Sequence, residues 1–317
     1  MDELHRFVFA GAPVRGLLVG LRESWRELLA RRAGEPYPAP VRALLGEMTA
    51  AGLLLHANIK FDGALEMQMQ GDGPVRLAVA EVQADLRFRA TATLAGPVPE
   101  AAELPALVDA RGRGRCAITL DPAAGRPGQQ RWQGVVALQD AHDRPLPRLA
   151  QVIEQYMQQS EQLETRLVLA ADDRVAAGLL IQRLPAAGGS RPSGERPEDA
   201  PGGSEDFNRI AQLAATLTRD ELLTLDADTL LRRLFWQEPL QRFAPRQPRF
   251  ACRCSRDRVA GVLRGLGRSE VDAVVAERGA VEVGCEFCGA AYRFDAVDAA
   301  QLFVPAADQP PGQGALN

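Results

Sequence analysis

Long apolar runs are missing from this 317-residue chain. None approaches the roughly 20 residues that a membrane-spanning helix needs. The opening MDELHRFVFAGAPVRG lacks a basic start followed by an apolar stretch, so no secretory signal is expected. A cytosolic chain with reduced thiols is the expectation. Histidine is scarce: His5, His56 and His142 are scattered, and no two have ligand spacing. Lysine is scarcer still. Lys60 is the only one, and arginine everywhere else reads as genomic base composition. A nucleophile elbow, a metalloprotease helix, a dinucleotide fingerprint and an internal repeat are also missing. Net charge is only −4, so the chain as a whole is no polyanion binder.

What is present is an ordinary soluble composition, 46% hydrophobic and 25% charged, in a chain long enough for two domains. Charge is unevenly spread. Glu195 to Asp228 holds nine acids and three arginines, whereas Arg242 to Arg268 holds eight arginines and one acid, Asp257. These stretches of opposite sign are expected to attract each other.

Hydrophobic periodicity predicts the elements. Val41, Leu44, Leu45 and Met48 have helical spacing, continued through Ala50–His56. Leu65, Met67 and Met69 then alternate with polar residues, Gly71–Pro74 makes a turn, and Val75, Leu77 and Val79 alternate beyond it, which is a hairpin pattern. Further strands are expected at Leu86–Thr91, Cys116–Leu120, Trp132–Leu138, Thr165–Ala170 and Val175–Gln182, with a helix over Leu149–Met157. The stretch 186–204 is rich in Pro, Gly, Ser and charge and reads as a flexible insert. Thr218 to Glu221 fits a capping box, and Asp226–Phe235 a further helix. Near the C-terminus, Ser255, Ser269 and Asp295 each suit a helix start, with strands at Val281–Gly284 and Ala290–Phe294. The expected class is α+β: an N-terminal α/β-sheet domain (1–184), a partly helical linker with few long-range anchors (185–240), a small C-terminal zinc-binding domain (241–305) and a disordered tail (306–317).

Four of the five cysteines fall in two pieces, FACRCSRDR and VEVGCEFCGAAY. Cys252 and Cys254 form C-x-C, Cys285 and Cys288 form C-x-x-C, and thirty residues lie between the pairs. Four thiolates from two short pairs satisfy tetrahedral Zn²⁺. A module this small is marginal without such a staple. Two readings stay open. The site is an inert structural knuckle, or it is a switch. A disulfide across the single residue between Cys252 and Cys254 closes a strained ring, easily re-reduced. Forming a disulfide within a pair also removes two zinc ligands. Arg249, Arg253, Arg256 and Arg258 are expected to favour thiolates. Cys116, in the strand-like CAITL, reads as a small buried apolar residue. The glycines of RGRGR (111–115) make a tight basic turn, with only a weak hint of a phosphate cradle.

The arrangement C-x-C-x30-C-x-x-C in FACRCSRDRV and GCEFCGAAYRFD resembles the redox-regulated heat-shock protein 33 family of bacterial chaperones. So do VRG at 14–16, LLGEM at 44–48, KFDGALEMQMQGDGPV at 60–75, WQGVVAL at 132–138 and SEQLETRLVLA at 160–170. The likeness covers nearly the whole chain, with 186–204 as an elongated loop. It implies an ATP-independent holdase that binds unfolding client proteins and catalyses no reaction. It implies one Zn²⁺ on Cys252, Cys254, Cys285 and Cys288 in the reduced, inactive state. Oxidation then gives Cys252–Cys254 and Cys285–Cys288 disulfides, zinc release, unfolding of the zinc domain, loosening of the linker and a homodimer. No specific nucleic acid and no membrane are implied as partners. Two rivals rest on the residues alone. A nucleic-acid-binding zinc module would use the arginine stretch with Phe243 and Phe250, but no stacking platform is evident. A thiol-disulfide oxidoreductase would use Cys285 and Cys288, but lacks a thioredoxin-like βαβ pattern.

Overall fold

A computed structural model describes residues 1–123, 130–185 and 203–304. The tail and nearly all of the 186–204 insert lie outside the described residues. The chain divides into two compact units, Met1–Ala251 and Cys252–Asn317.

In the first unit the elements run β1 (Glu3–Phe9), β2 (Val14–Leu21), α1 (Glu23–Ala30), α2 (Ala39–Asn58), β3 (Gly63–Gln70), β4 (Val75–Gln83), β5 (Arg87–Leu94), α3 (Leu104–Val108), β6 (Arg115–Pro122) and β7 (Trp132–Ala137). They continue through α4 (Leu149–Ser160), β8 (Thr165–Ala171), β9 (Ala176–Arg183), α5 (Gly203–Ala215), α6 (Arg219–Thr224), α7 (Ala227–Phe235), β10 (Leu240–Arg242) and β11 (Arg249–Phe250). Two sheets result, one in the order β10-β1-β2-β9-β8 and one in the order β11-β5-β4-β3-β6-β7. The mixed helix-and-sheet class expected from the sequence is the one observed.

The period-two segment becomes the β3–β4 hairpin, with Leu65 opposite Val82, Met67 opposite Ala80 and Met69 opposite Ala78. These side chains face α2, a helix buried along most of its length that packs on strands of both sheets. Such a helix needs small residues where backbones come close. A Cβ on Gly46, in the LLGEM stretch, would collide with the Ala171 side chain of β8. Glu47 beside it is the costly exception. Its carboxyl borders a hollow of about 140 Å³ walled by Leu44, Leu104, Leu107 and Leu149. Burial raises its pKa to about 7, and Arg219 and Arg148 only partly oppose the shift.

The linker differs from its expectation. Far from having few anchors, α5, α6 and α7 form a layer on the outer face of the first sheet. Leu222, Leu223, Leu230, Leu231, Leu234 and Phe235 are buried. The reason is the sheet itself. Phe7, Phe9, Leu18, Val175, Leu179 and Ile181 give it an apolar outer face, and the Phe9 and Phe235 rings meet edge to face at 5.0 Å. Trp236, which follows Phe235 directly, is instead 73% exposed. The predicted caps hold. Thr218 and Glu221 form a reciprocal capping box, and Asp226 accepts from the Thr229 amide.

Beyond the linker, β10 pairs with β1 and β11 with β5, so residues 240–250 belong to the sheets of the first unit. The attraction between acidic and arginine-rich stretches is realised by Arg242 and Asp228 at 2.6 Å. Arg249, Arg256 and Arg268 pair with Asp85, Asp298 and Asp272, acids outside the 195–228 stretch that approach them more closely in the fold.

The second unit holds α8 (Arg256–Leu266), α9 (Arg268–Arg278), β12 (Ala280–Gly284), β13 (Ala291–Asp295) and α10 (Ala296–Leu302). Ser255 and Asp295 cap as expected. Ser269 does not. The N-cap of α9 is Gly267, with no side-chain cap bond, because the chain turns there at φ +96°. Among the described residues, seven buried side chains form the core of this unit: Ala260, Leu263, Val271, Val281, Phe294, Ala299 and Leu302.

The Glu47 carboxyl gives a pH test. A folded-state pKa raised above the unfolded value contributes stability in full below about pH 4.5, lost as pH rises through about 7. Glu47→Gln is expected to remove this dependence and to stabilise the first unit at pH 8, by on the order of 2–3 kcal/mol. Tm measured from pH 5 to 8 checks it. A wild-type-like pH profile in the variant would contradict the assignment.

Candidate metal centre

The four clustered cysteines converge because each pair sits on a local turn. Cys252 and Cys254 lie in the irregular stretch just before α8, and the Ser255 cap follows Cys254 directly. Cys285 and Cys288 occupy the tight turn between β12 and β13. There the Gly289 amide donates to the Cys285 carbonyl at 2.8 Å, and the Cys285 amide to Ala290 at 2.9 Å. Gly289 closes the turn at φ +69°, a conformation that favours glycine.

All four Sγ atoms lie within 4.8 Å of one another. Cys252 and Cys285 approach to 3.6 Å, and Cys254 and Cys288 to 3.3 Å. Tetrahedral zinc with Zn–S near 2.3 Å requires sulfur–sulfur edges of about 3.8 Å. The cluster therefore fits the ion in size, and its all-sulfur donor set suits zinc. Amides complete the fit. Those of Phe287 and Cys288 donate toward Cys285, and that of Ala290 toward Cys288. Such bonds stabilise thiolate ligands.

Without a metal the thiols are not equivalent. Burial works against ionisation of Cys254, but hydrogen bonds from the Tyr292 hydroxyl and the other three thiols bring it down to about 7. Burial pushes Cys285 and Cys288 up; the three neighbouring thiols add to this at Cys288, whereas at Cys285 the Cys252 thiol adds to it and the Cys288 thiol opposes it. The expectation that arginines favour the thiolates is not met at Cys254, where hydrogen bonds do the lowering. Arg256 is engaged elsewhere: it stacks on Phe294 at 4.2 Å and donates to the Arg293 carbonyl. Tyr292, whose hydroxyl donates to Cys254 at 3.1 Å, is the site residue that sequence reasoning missed. It stands in the quoted CGAAY stretch, but a tyrosine on a strand carries no ligand signal by itself.

The other candidates stay apart. Cys116 is fully buried on β6, and burial pushes its thiol up to about 12. His56 bonds the Gly63 carbonyl, and His5 lies beside Glu3. The RGRGR turn holds no phosphate cradle. Its Gly114 amide is taken by the Asp109 carboxylate, and its Arg111 amide donates to Asp72. Among the described residues no helix is long and apolar enough to cross a membrane.

Replacing Cys285 with serine removes one of four sulfurs and should cut zinc retention well below one per chain. The helical far-UV signal of the second unit should fall with it. Metal analysis after dialysis against a weak chelator checks this, and full retention of zinc in the variant would contradict a four-sulfur site.

Comparison with known proteins agrees with this geometry. A family model described as Hsp33 protein matches residues 2–295. The 33 kDa chaperonin of Chromobacterium violaceum is 43% identical over 302 residues, covering 95% of this chain and 94% of that protein. The 33 kDa chaperonin of Shewanella woodyi is 40% identical over 302 residues, covering 95% and 96%. The crystal structure of the 33 kDa chaperonin (heat shock protein 33 homolog) from Thermotoga maritima superposes with a TM-score of 0.73 at 19% identity, covering 95% of this chain and 98% of that one. That last likeness shows a shared fold, and the family model and the sequence relatives show descent: the chain belongs to the Hsp33 protein family.

Proposed function

We propose that this chaperone is an ATP-independent holdase controlled by the redox state of its cysteine cluster. The carrying observation is the set of four thiols within 4.8 Å of one another, in a unit whose core among the described residues is seven buried apolar side chains. In the reduced state Cys252, Cys254, Cys285 and Cys288 hold one Zn²⁺. The ion supplies the energy that folds the module, about 10–16 kcal/mol in peptide sites.

Activation is an oxidation of these thiols. Each disulfide consumes one peroxide: two sulfurs lose two electrons, and the peroxide takes two protons and leaves as two waters. Cys252 pairs with Cys254, and Cys285 with Cys288. The closest sulfur approaches in the reduced cluster run across the two arms. The within-pair assignment therefore rests on the family resemblance and on the short tether inside each pair. Once a pair is oxidised, two sulfurs are no longer ligands, and the remaining two are too few to retain zinc. The module then loses its folding energy.

Loosening of α5–α7 would bare an apolar sheet face that includes Phe7, Phe9, Leu18, Val175, Leu179 and Ile181. A surface of that kind suits unfolded client proteins, and the oxidised chain would pair with a second copy. The protein acts in the cytosol by binding alone, without catalysis.

One sample with two readouts tests this. Reduced, zinc-loaded protein is treated with peroxide at elevated temperature. Zinc release is followed with a chromogenic chelator, and suppression of client aggregation by light scattering without ATP. The two are expected to rise together and to be reversed by reductant plus zinc. Zinc that stays bound, or that leaves with no gain of holdase activity, would reduce the cysteines to a structural site.

A further inference from the structure

Helix α8 begins two residues after Cys254 and is the element most directly tied to the first arm of the metal site. Its sequence, RDRVAGVLRGL, carries two glycines four residues apart, Gly261 and Gly265. A glycine inside a helix usually has a packing reason or marks the end. Neither applies here. Apart from its chain neighbours and the helix's own nearby backbone, a Cβ at Gly261 or at Gly265 would meet no heavy atom of the described residues within 4 Å. Both keep ordinary helical backbone, and the helix ends beyond them at Gly267.

The geometry of α8 explains the open space. Ala260 and Leu263 face the small core, while Gly261, Val262, Gly265 and Leu266 lie on the exposed side. Alanine at either glycine position would fit without moving anything. Relative to alanine, an interior glycine such as Gly261 weakens a helix about fivefold; Gly265, in the last turn, costs less, so the pair weakens it by at most about 25-fold. The Ser255 cap and the Arg264 bond to the Leu302 carbonyl offset part of this cost. The following helix adds little, since it starts without a side-chain cap and buries only Val271.

We propose that Gly261 and Gly265 are tuning residues that hold α8 below the threshold for folding without metal, so that loss of the thiolate site is read out as melting of this helix. The inference rests on reading the cysteine cluster as a zinc site. Its physical basis is linkage. When a ligand binds only the folded form of a mostly unfolded module, its affinity scales with the fraction folded. Glycines that cost nothing in packing thus lower zinc affinity and the barrier to activation together, without touching a ligand.

The test uses the full-length reduced chain in three forms: wild type, G261A/G265A and G261Q/G265Q. Zinc affinity is measured by competition with a chromogenic chelator, and helix content of the zinc-stripped protein by far-UV circular dichroism. The alanine pair is expected to bind zinc up to about 25-fold more tightly and to regain helical signal without metal. Glutamine is also a good helix former, so its pair should shift both readouts the same way by a smaller factor. Normal zinc binding with unchanged affinity and unchanged ellipticity in both variants overturns the inference and leaves the zinc reading intact. Tighter binding with alanine but weaker binding with glutamine overturns it too, because the bare face would then be a close docking surface. A wild type that binds no zinc overturns the zinc reading itself, and the inference falls with it.

Discussion

Bringing four sulfurs to within 4.8 Å of one another is the constraint on which the second unit depends. A core of seven residues, three of them alanine or small valine contacts on short helices, is too small to offset the conformational entropy of ordering some fifty residues. In the proposed reduced state, coordination would offset it at a single point and would tie the stretch before α8 to the β12–β13 turn. The Ser255 cap, the Tyr292 hydrogen bond and the amides aimed at Cys285 and Cys288 all sit next to ligand sulfurs. With zinc bound as proposed, local structure and metal site would stabilise each other, and taking the sulfurs out of coordination would remove support from each of these features at once.

The first unit is built the opposite way. Its stability is spread over two sheets and a buried central helix, and no single interaction decides it. Its distinctive feature is the layer of α5–α7 on an apolar sheet face. These helices are short, and helices of six to thirteen residues owe their stability to packing more than to propensity. Such a layer depends on the surface beneath it, and in the proposed mechanism it would serve as a removable cover. The oxidation chemistry of one unit and the apolar reserve of the other together make the proposed holdase physically sensible.

Much of this was legible in the sequence, for reasons that differ by element. The β3–β4 hairpin announced itself through strict alternation and a glycine-rich turn, and α2 through helical spacing. The caps at Thr218, Asp226, Ser255 and Asp295 follow from local hydrogen bonding and need no tertiary knowledge. The cysteine cluster was legible because two short pairs can converge on one ion. What escaped notice depended on distant neighbours. The sequence pattern alone does not mark β1 and β2 as strands, so it does not show which sheet face buries Leu230 and Phe235, and the linker reads as having few long-range anchors. Trp236 belongs to an apolar run by sequence but falls just past the end of α7. Ser269 suits a cap by residue type, but the turn at Gly267 starts the helix two residues earlier. Tyr292 acquires its role only when β13 brings its hydroxyl to Cys254.

The most direct test of the central claim separates metal from oxidation. Hydrogen–deuterium exchange would be measured on the reduced protein with zinc bound and after chelation under reducing conditions, so that no disulfide forms. The account predicts that amides across residues 252–302 lose protection on chelation while α2 and the β3–β6 region stay protected. Retained protection in 252–302 without metal would show that the module folds by its own core, and would contradict the claim that coordination holds it.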